Sequence, residues 1–161
     1  MAPAADVTPE EGPSIRRAVP TDLPRLVERL MSGALPGAPD TEDPTEADRY
    51  RVALDEIQGA GGEVLVAERS GEVIGFCQLV FFRHLQAKGG LCAELESVHV
   101  HPDHRGTGIG GSLVGAAVDR ARAQGCYRIQ LTSNRQRDDA HRFYESLGFA
   151  PTHVGYKMRF D

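Results

Sequence analysis

Four of the six residues from Gly106 to Gly111 are glycine, within the stretch "HPDHRGTGIGG". A turn alone needs one or two. Clearing Cβ atoms from so much backbone lets several N–H groups close on a phosphate at a helix N-terminus, worth about 1 kcal/mol per favourable charge. Gly106, Gly108 and Gly111 also satisfy G-x-G-x-x-G, the dinucleotide fingerprint, but the context is wrong. That fingerprint needs an acidic residue roughly 20 positions on, at the end of the next strand. Here the strand ends "QLTSN", and Gln130, Thr132, Ser133 and Asn134 are neutral. No Gly-Lys-Ser/Thr is present, so a P-loop is excluded. With Arg105 added, the segment reads R-x-x-G-x-G.

The strand before the loop, residues 93–100 ("AELESVHV"), breaks its own alternation. Leu95, Val98 and Val100 are its apolar positions, so a gap of three precedes a gap of two. A regular strand holds a gap of two. An extra residue near Glu96-Ser97 restores the phase, which is the signature of a β-bulge. His99, His101, Asp103 and His104 could suggest a metal. Pro102 breaks the run, and no second cluster with zinc spacing follows. Surface histidines account for them better, so no metal is assigned. Cys77, Cys92 and Cys126 form no C-x-x-C pair and read as reduced thiols in a cytoplasmic protein.

These residues need elements to hold them. Residues 14–19 read as a first short strand. "TDLPRLVERLM" follows as a helix with Leu23, Leu26, Val27 and Leu30 on one face. Residues 32–44 form a long turn-rich loop, and such loops often serve as lids. "TEADRYRVALDEIQ" is a second helix ending near Gly59. Residues 64–68 and 73–82 form a hairpin about a Ser70-Gly71 turn. After the glycine loop come a helix to Gly125, a strand over 127–132, a helix over 138–148 and a final strand, "VGYKMRF". Residues 1–13 read as a disordered tail, leaving one domain over 14–161. The order predicts a single mixed sheet with helices on its faces.

Composition is that of an ordinary globular domain, 40% hydrophobic and 25% charged. A net charge of −5 argues against nucleic acid as a partner. No apolar run approaches a membrane span, and the N-terminus lacks a signal-peptide pattern.

Three motifs in order carry a resemblance over about residues 14–161: "SIRRAVPTDLPRLVERL", "LESVHVHPDHRGTGIG" and "DDAHRFYESLGF". Together they resemble the GNAT superfamily of N-acetyltransferases. The C-terminal part is similar to aminoalkylphosphonate N-acetyltransferase-like members. The resemblance implies an α/β (α+β) GNAT fold: a mixed, mostly antiparallel central sheet flanked by helices and splayed at the bulged strand. It implies acetyl transfer from acetyl-CoA to a primary amine of a small molecule or peptide, in a direct ternary complex. A non-catalytic acyl-CoA sensor on the same fold is the alternative. A homodimer is compatible with the family.

By the same resemblance, acetyl-CoA would lie along Val98, His99 and Val100. Its pyrophosphate would lie on Arg105, Gly106, Thr107, Gly108, Ile109, Gly110 and Gly111. Asn134 and Tyr144 would complete the contacts. The amide of Val98 would bond the thioester carbonyl. Glu96 is the first choice for general base, with Glu94 its competitor, and Tyr144 would protonate the leaving thiolate. Phe143 takes a packing role. Arg135 and Arg137 read as solvated loop residues that could otherwise meet a cofactor phosphate. On the acceptor side, Asp40, Glu42, Asp43, Glu46 and Asp48 would attract a cationic amine. Arg83 and His84 could instead face an anionic group.

Overall fold

The computed structural model describes residues 12–34 and 40–160 of the chain. The expected N-terminal tail lies outside the described residues except for Gly12 and Pro13, as do residues 35–39 of the long loop. In chain order the elements are β1 (Ser14–Arg17), α1 (Leu23–Ser32), α2 (Ala47–Gly59), β2 (Glu63–Arg69) and β3 (Glu72–Arg83). Then follow α3 (Gln86–Gly89), β4 (Leu91–Val100), α4 (Ile109–Ala123), β5 (Arg128–Leu131) and α5 (Asp138–Ser146). One sheet runs β1-β2-β3-β4-β5. Its neighbours pair antiparallel except β4 and β5, which run parallel. The turn between β2 and β3 places Ser70 and Gly71 at φ 53° and 79°. Two consecutive left-handed residues match the twist of the flanking strands, which is why a Ser-Gly pair closes this hairpin.

Alternation along β2 sorts the core. Leu65 and Ala67 face α4 and pack with Ile74, Leu79, Leu95, Ile109 and Leu113. Val64 and Val66 face the other way, joining Phe76 with Leu26 of α1 and Leu54 of α2. Each such buried aliphatic contributes roughly 1.5–3 kcal/mol. A buried carboxylate ties the layers together. Glu63 accepts from Arg17 at 2.8 Å and also pairs with Arg120 of α4.

β4 carries the predicted irregularity. Gln78 lies opposite Glu96 and Phe76 opposite His99, so two residues, Ser97 and Val98, face the single Cys77. Ser97 adopts φ 53°, the left-handed region in which a non-glycine residue is uncommon. The pairing of β4 with β5 spans Cys92–Leu95 against Arg128–Leu131 and stops short of the bulge. The bulged half of β4 therefore has β3 on one side and no strand on the other among the described residues.

The expected final strand is not formed. Residues 149–160 carry no helix or strand. Val154, Tyr156, Met158 and Phe160 are 66%, 92%, 80% and 87% exposed. The alternation is that of a strand, but β5 offers an edge of only four residues, and the segment makes no ladder along it. No helix among the described residues is long and apolar enough to cross a membrane.

Candidate active site

The glycine loop delivers the chain from β4 into α4. Gly106 and Gly108 sit at φ 74° and 86°, so both need the left-handed freedom that glycine has. Gly108 is the N-cap of α4 and offers no side chain to cap it. The first intrahelical bond runs from the Ser112 amide to the Gly108 carbonyl at 3.0 Å. The amides of Ile109, Gly110 and Gly111 precede it and have no intrahelical acceptor, which makes the helix end a donor cluster for an anion. Gly110 has a second reason to be glycine: a Cβ there would lie 3.2 Å from the Phe143 ring of α5. The Ile109 side chain is core, leaving only its amide for a ligand. Thr107 donates its hydroxyl to the His104 carbonyl at 2.7 Å, and the exposed Arg105 donates Nε to the Val100 carbonyl at 3.1 Å.

Glu96 stands at the bulge and is half-buried. Desolvation, with the neighbouring charge of Glu94, raises its carboxyl above the ordinary glutamate range, and Lys157 opposes that shift. Glu94 itself accepts from Gln130 of β5 at 2.5 Å. That bond engages it across the paired part of the sheet, whereas no protein hydrogen bond to the Glu96 carboxylate is formed among the described residues. Tyr144 is half-buried on α5 between the Phe143 and Phe149 rings, at centroid distances of 5.1 Å and 5.9 Å. Burial raises its phenol above the usual tyrosine value, and Glu96 acts on it in the same direction. The tyrosine is thus protonated near neutrality and lies within electrostatic reach of Glu96. Cys77, opposite the bulge, is fully buried, and desolvation pushes its thiol up to about 12. It is inert packing, as expected of a small buried residue.

Past the bulge, His99 stacks on Phe76 at 5.4 Å with the rings nearly parallel. Burial pushes its imidazole down to about 4, with Arg137 and Arg105 acting in the same direction and Asp40 against it. Gly33, which ends α1, admits this ring. A Cβ at Gly33 would lie 2.3 Å from His99 Nδ1. Arg137 closes the arrangement by donating Nη2 to the Gly33 carbonyl at 2.6 Å. The solvated-loop reading holds for Arg135, which is exposed. It fails for Arg137, which is half-buried because α1 presents a carbonyl to it. A cavity of about 260 Å³ lies here, lined by Ser32, Gly33, Val98, His99, Arg105 and Arg137 among others.

Asn134 orders the loop after β5. Its Oδ1 accepts from the Gln136 amide at 2.9 Å and its carbonyl meets His141 Nε2 at 2.9 Å. The acidic run divides. Asp43 caps the turn before α2 through the Thr45 amide at 2.9 Å, while Glu46 and Asp48 pair with Arg49 and Arg51. Only Asp40 acts electrostatically on His99. Arg83 and His84 do not reach the site. Arg83 pairs with Leu91 at the far end of β4, and His84 contacts Arg128 at 3.2 Å. His101 turns inward on its own loop, accepting from the Asp103 amide at 3.2 Å. Among the described residues no three His, Cys, Asp or Glu side chains gather as metal ligands.

Two features escaped the sequence reading. The contacts of Arg137 and Gly33 join residues 104 positions apart and leave no local signal. Arg29 is fully buried on α1 beside Glu28 at 3.4 Å, and its Nε finds no acceptor among the described residues. It follows Leu26 and Val27 on the apolar face, where a charged residue is read as exposed.

Comparison with known proteins identifies the family. Residues 27–149 match the family described as acetyltransferase (GNAT). The chain is 33% identical over 141 residues to the L-amino acid N-acyltransferase MnaT of Escherichia coli, covering 86% of this chain and 80% of that one. It is 36% identical over 91 residues to the aminoalkylphosphonate N-acetyltransferase of Salmonella typhimurium, 56% and 58% of the two chains. A crystal structure described as a transcriptional regulator from Bacillus halodurans superposes with a TM-score of 0.85 at 36% identity, over 92% of this chain and 99% of that one. The chain belongs to the GNAT acetyltransferase family, and its relatives by sequence are named as N-acyl- and N-acetyltransferases.

Proposed function

We propose that the protein moves an acetyl group from acetyl-CoA to a primary amine by direct attack within a ternary complex. One observation carries the reading. The bulge at Ser97 and Val98 opens where β5 has ended, and Glu96 and Tyr144 flank that opening within electrostatic reach of each other. The donor amides of Ile109, Gly110 and Gly111, with Arg105, suit the cofactor pyrophosphate. The pantetheine arm would extend along Val98, His99 and Val100, with Asn134 across from it. The Val98 amide would bond the thioester carbonyl, stabilising the charge that grows on its oxygen.

Glu96 takes a proton from the acceptor ammonium through water, and its raised pKa suits a base working near neutrality. The amine nitrogen then forms a bond to the acetyl carbon as the carbon–sulfur bond breaks. Tyr144 delivers its proton to the departing thiolate and recovers one from the new amide nitrogen, which sheds its second proton as the carbon–sulfur bond breaks. A second reading, binding without turnover, draws on the description of the Bacillus halodurans relative as a transcriptional regulator. Glu96 and Tyr144, an acid–base pair that binding alone does not need, favour the enzyme.

A panel of primary amines, assayed by release of the CoA thiol, tests the reaction. Thermal stabilisation by CoA tests the binding half separately. Tyr144→Phe should bind CoA as the parent does and turn over slowly. If parent and variant both bind CoA and neither acetylates any amine, the sensor reading holds.

A further inference from the structure

The segment that follows α5 is bare along its length. Val154, Tyr156, Met158 and Phe160 alternate with Gly155, Lys157 and Arg159, and all seven residues are exposed. Monomeric proteins rarely leave so large an apolar row uncovered, and a contiguous one marks an interaction surface. The outer side of β5 is bare too. β5 ends the sheet, and no strand lies beyond it among the described residues. An unpaired edge is a template for a strand from another chain.

The two features match in chemistry. Ile129 and Leu131 of β5 pair with Ala93 and Leu95, pack on the α4 side of the sheet and stay half-exposed at the open edge. Gln130 lies on the other face with Glu94, and alternation along β4 puts Glu96 there as well. A strand laid along this edge with its apolar row over Ile129 and Leu131 sets Lys157 and Arg159 on the face of Glu94 and Glu96. Within the single chain Lys157 is already close enough to oppose the raised pKa of Glu96. The opposite edge, β1, offers no such match. Its Arg16 and Arg17 hold Asp22, Glu68 and Glu63, so Lys157 and Arg159 would meet like charges whose acids are engaged.

The segment does not complete the ladder on its own chain because α5 delivers it past the strand. Gly155 lies against Thr132, one residue beyond Leu131. A segment arriving from another molecule has no such tether. We infer that the C-terminal segment of one copy adds as a strand to the β5 edge of a second copy, and that the exchange is reciprocal about a two-fold axis. The exchange covers both bare features on both molecules and closes the assembly as an isologous dimer. The area suffices. Tyr156 and Phe160 would each bury about 150–250 Å². Two exchanged segments, counted with the surfaces that receive them, remove at least roughly 1,200 Å² from water, where specific interfaces begin. The association needs neither acetyl-CoA nor an acceptor.

Sedimentation over a concentration series reads the stoichiometry, and hydrogen exchange reads the surface. The parent should form a dimer, with the amides of residues 128–131 and 154–160 slowing together as concentration rises. Tyr156→Asp combined with Met158→Asp should raise the dimer Kd at least about 30-fold, the loss of one aromatic anchor, and leave the far-ultraviolet circular dichroism of the monomer unchanged. A chain ending at Thr152 should be monomeric, and an added peptide of residues 152–161 should protect its amides over 128–131. If that shortened chain does not fold, the double variant, which keeps every backbone group, carries the test. A parent that stays monomeric throughout the series overturns the proposal. So does a dimer that survives the double variant, or one whose protection falls on β1 or α2. Protection of residues 154–160 in the monomer overturns it too, because the segment then pairs within its own chain.

Discussion

β4 and the C-terminal segment both carry a strand's alternation, interrupted in β4 by the bulge, and meet opposite fates. In β4, Cys92, Ala93 and Leu95 are buried between β3, β5 and the flanking helices. In the C-terminal segment, Val154, Tyr156, Met158 and Phe160 alternate with Gly155, Lys157 and Arg159, and every residue is exposed. The difference lies in what each can pair with. β4 lies between two strands, whereas the C-terminal segment passes the end of a four-residue edge. A Cβ on Gly155 would touch Thr132 at 3.5 Å, so the segment is near the sheet without joining its ladder. Period-two patterning states that a segment can be a strand. A free edge of adequate length decides whether it becomes one.

The largest effect should come from the reactive end of β4. Glu96→Gln should lower kcat/KM by about 10²–10⁴-fold, the usual worth of a positioned acid or base, measured in the CoA-thiol assay. The parent's acid limb should lie above the ordinary glutamate range, since Glu96 is desolvated, and activity should fall as pH drops through that pKa. A variant with an unchanged profile would leave the role of base to Glu94 or to water.

Next comes the paired end of the same strand. Leu95→Ala removes a side chain that is 2% exposed opposite Leu79 and should cost about 2–5 kcal/mol in denaturant unfolding. A cost below 1 kcal/mol would mean that β4 is packed no better than the C-terminal segment.

His99 should give a smaller, pH-dependent effect. Its pKa is about 4 when folded, against 6.5 for an unperturbed imidazole, so the unfolded chain binds more protons between those values. The stability it confers is complete above pH 6.5 and is lost as pH falls towards 4. His99→Gln should flatten the melting temperature across that window, as followed by circular dichroism. The smallest effect is reserved for the C-terminal segment. Tyr156→Ser should change the stability of the dilute monomer by less than about 0.5 kcal/mol, as at other open surface positions. A loss above 1 kcal/mol would show the segment packed on its own chain and would end the contrast.

Much of the fold was legible because its signals are local. The Ser70-Gly71 turn, the Leu26-Val27 helical face and the glycine entry to α4 each announce themselves within a few residues. The bulge was legible for a rarer reason: it shifts the phase of a short alternating run, and Leu95, Val98 and Val100 record the shift. The site was legible only in pieces. Resemblance pointed to Glu96, Val98 and Tyr144, and the fold brings their elements to one opening. Nothing near Arg137 in sequence predicts that it meets Gly33, because the contact depends on where α1 ends relative to the loop after β5. The acidic run was legible as composition only. Composition weighted its members equally, whereas i,i+3 pairing occupies Glu46 and Asp48, and only Asp40 acts on His99.

Ser97 sets one residue of β4 in a conformation that L side chains resist, at φ 53°. The strain is held in the resting protein, about 1–2 kcal/mol for a non-glycine residue in left-handed backbone. Stability and function therefore pull apart at this residue. Ser97→Gly would relieve the strain and firm the fold, yet it would free the backbone at the point where the proposed role of Val98 needs its amide held in place. Selection for thermal resistance alone should accept that glycine, and selection for turnover should resist it.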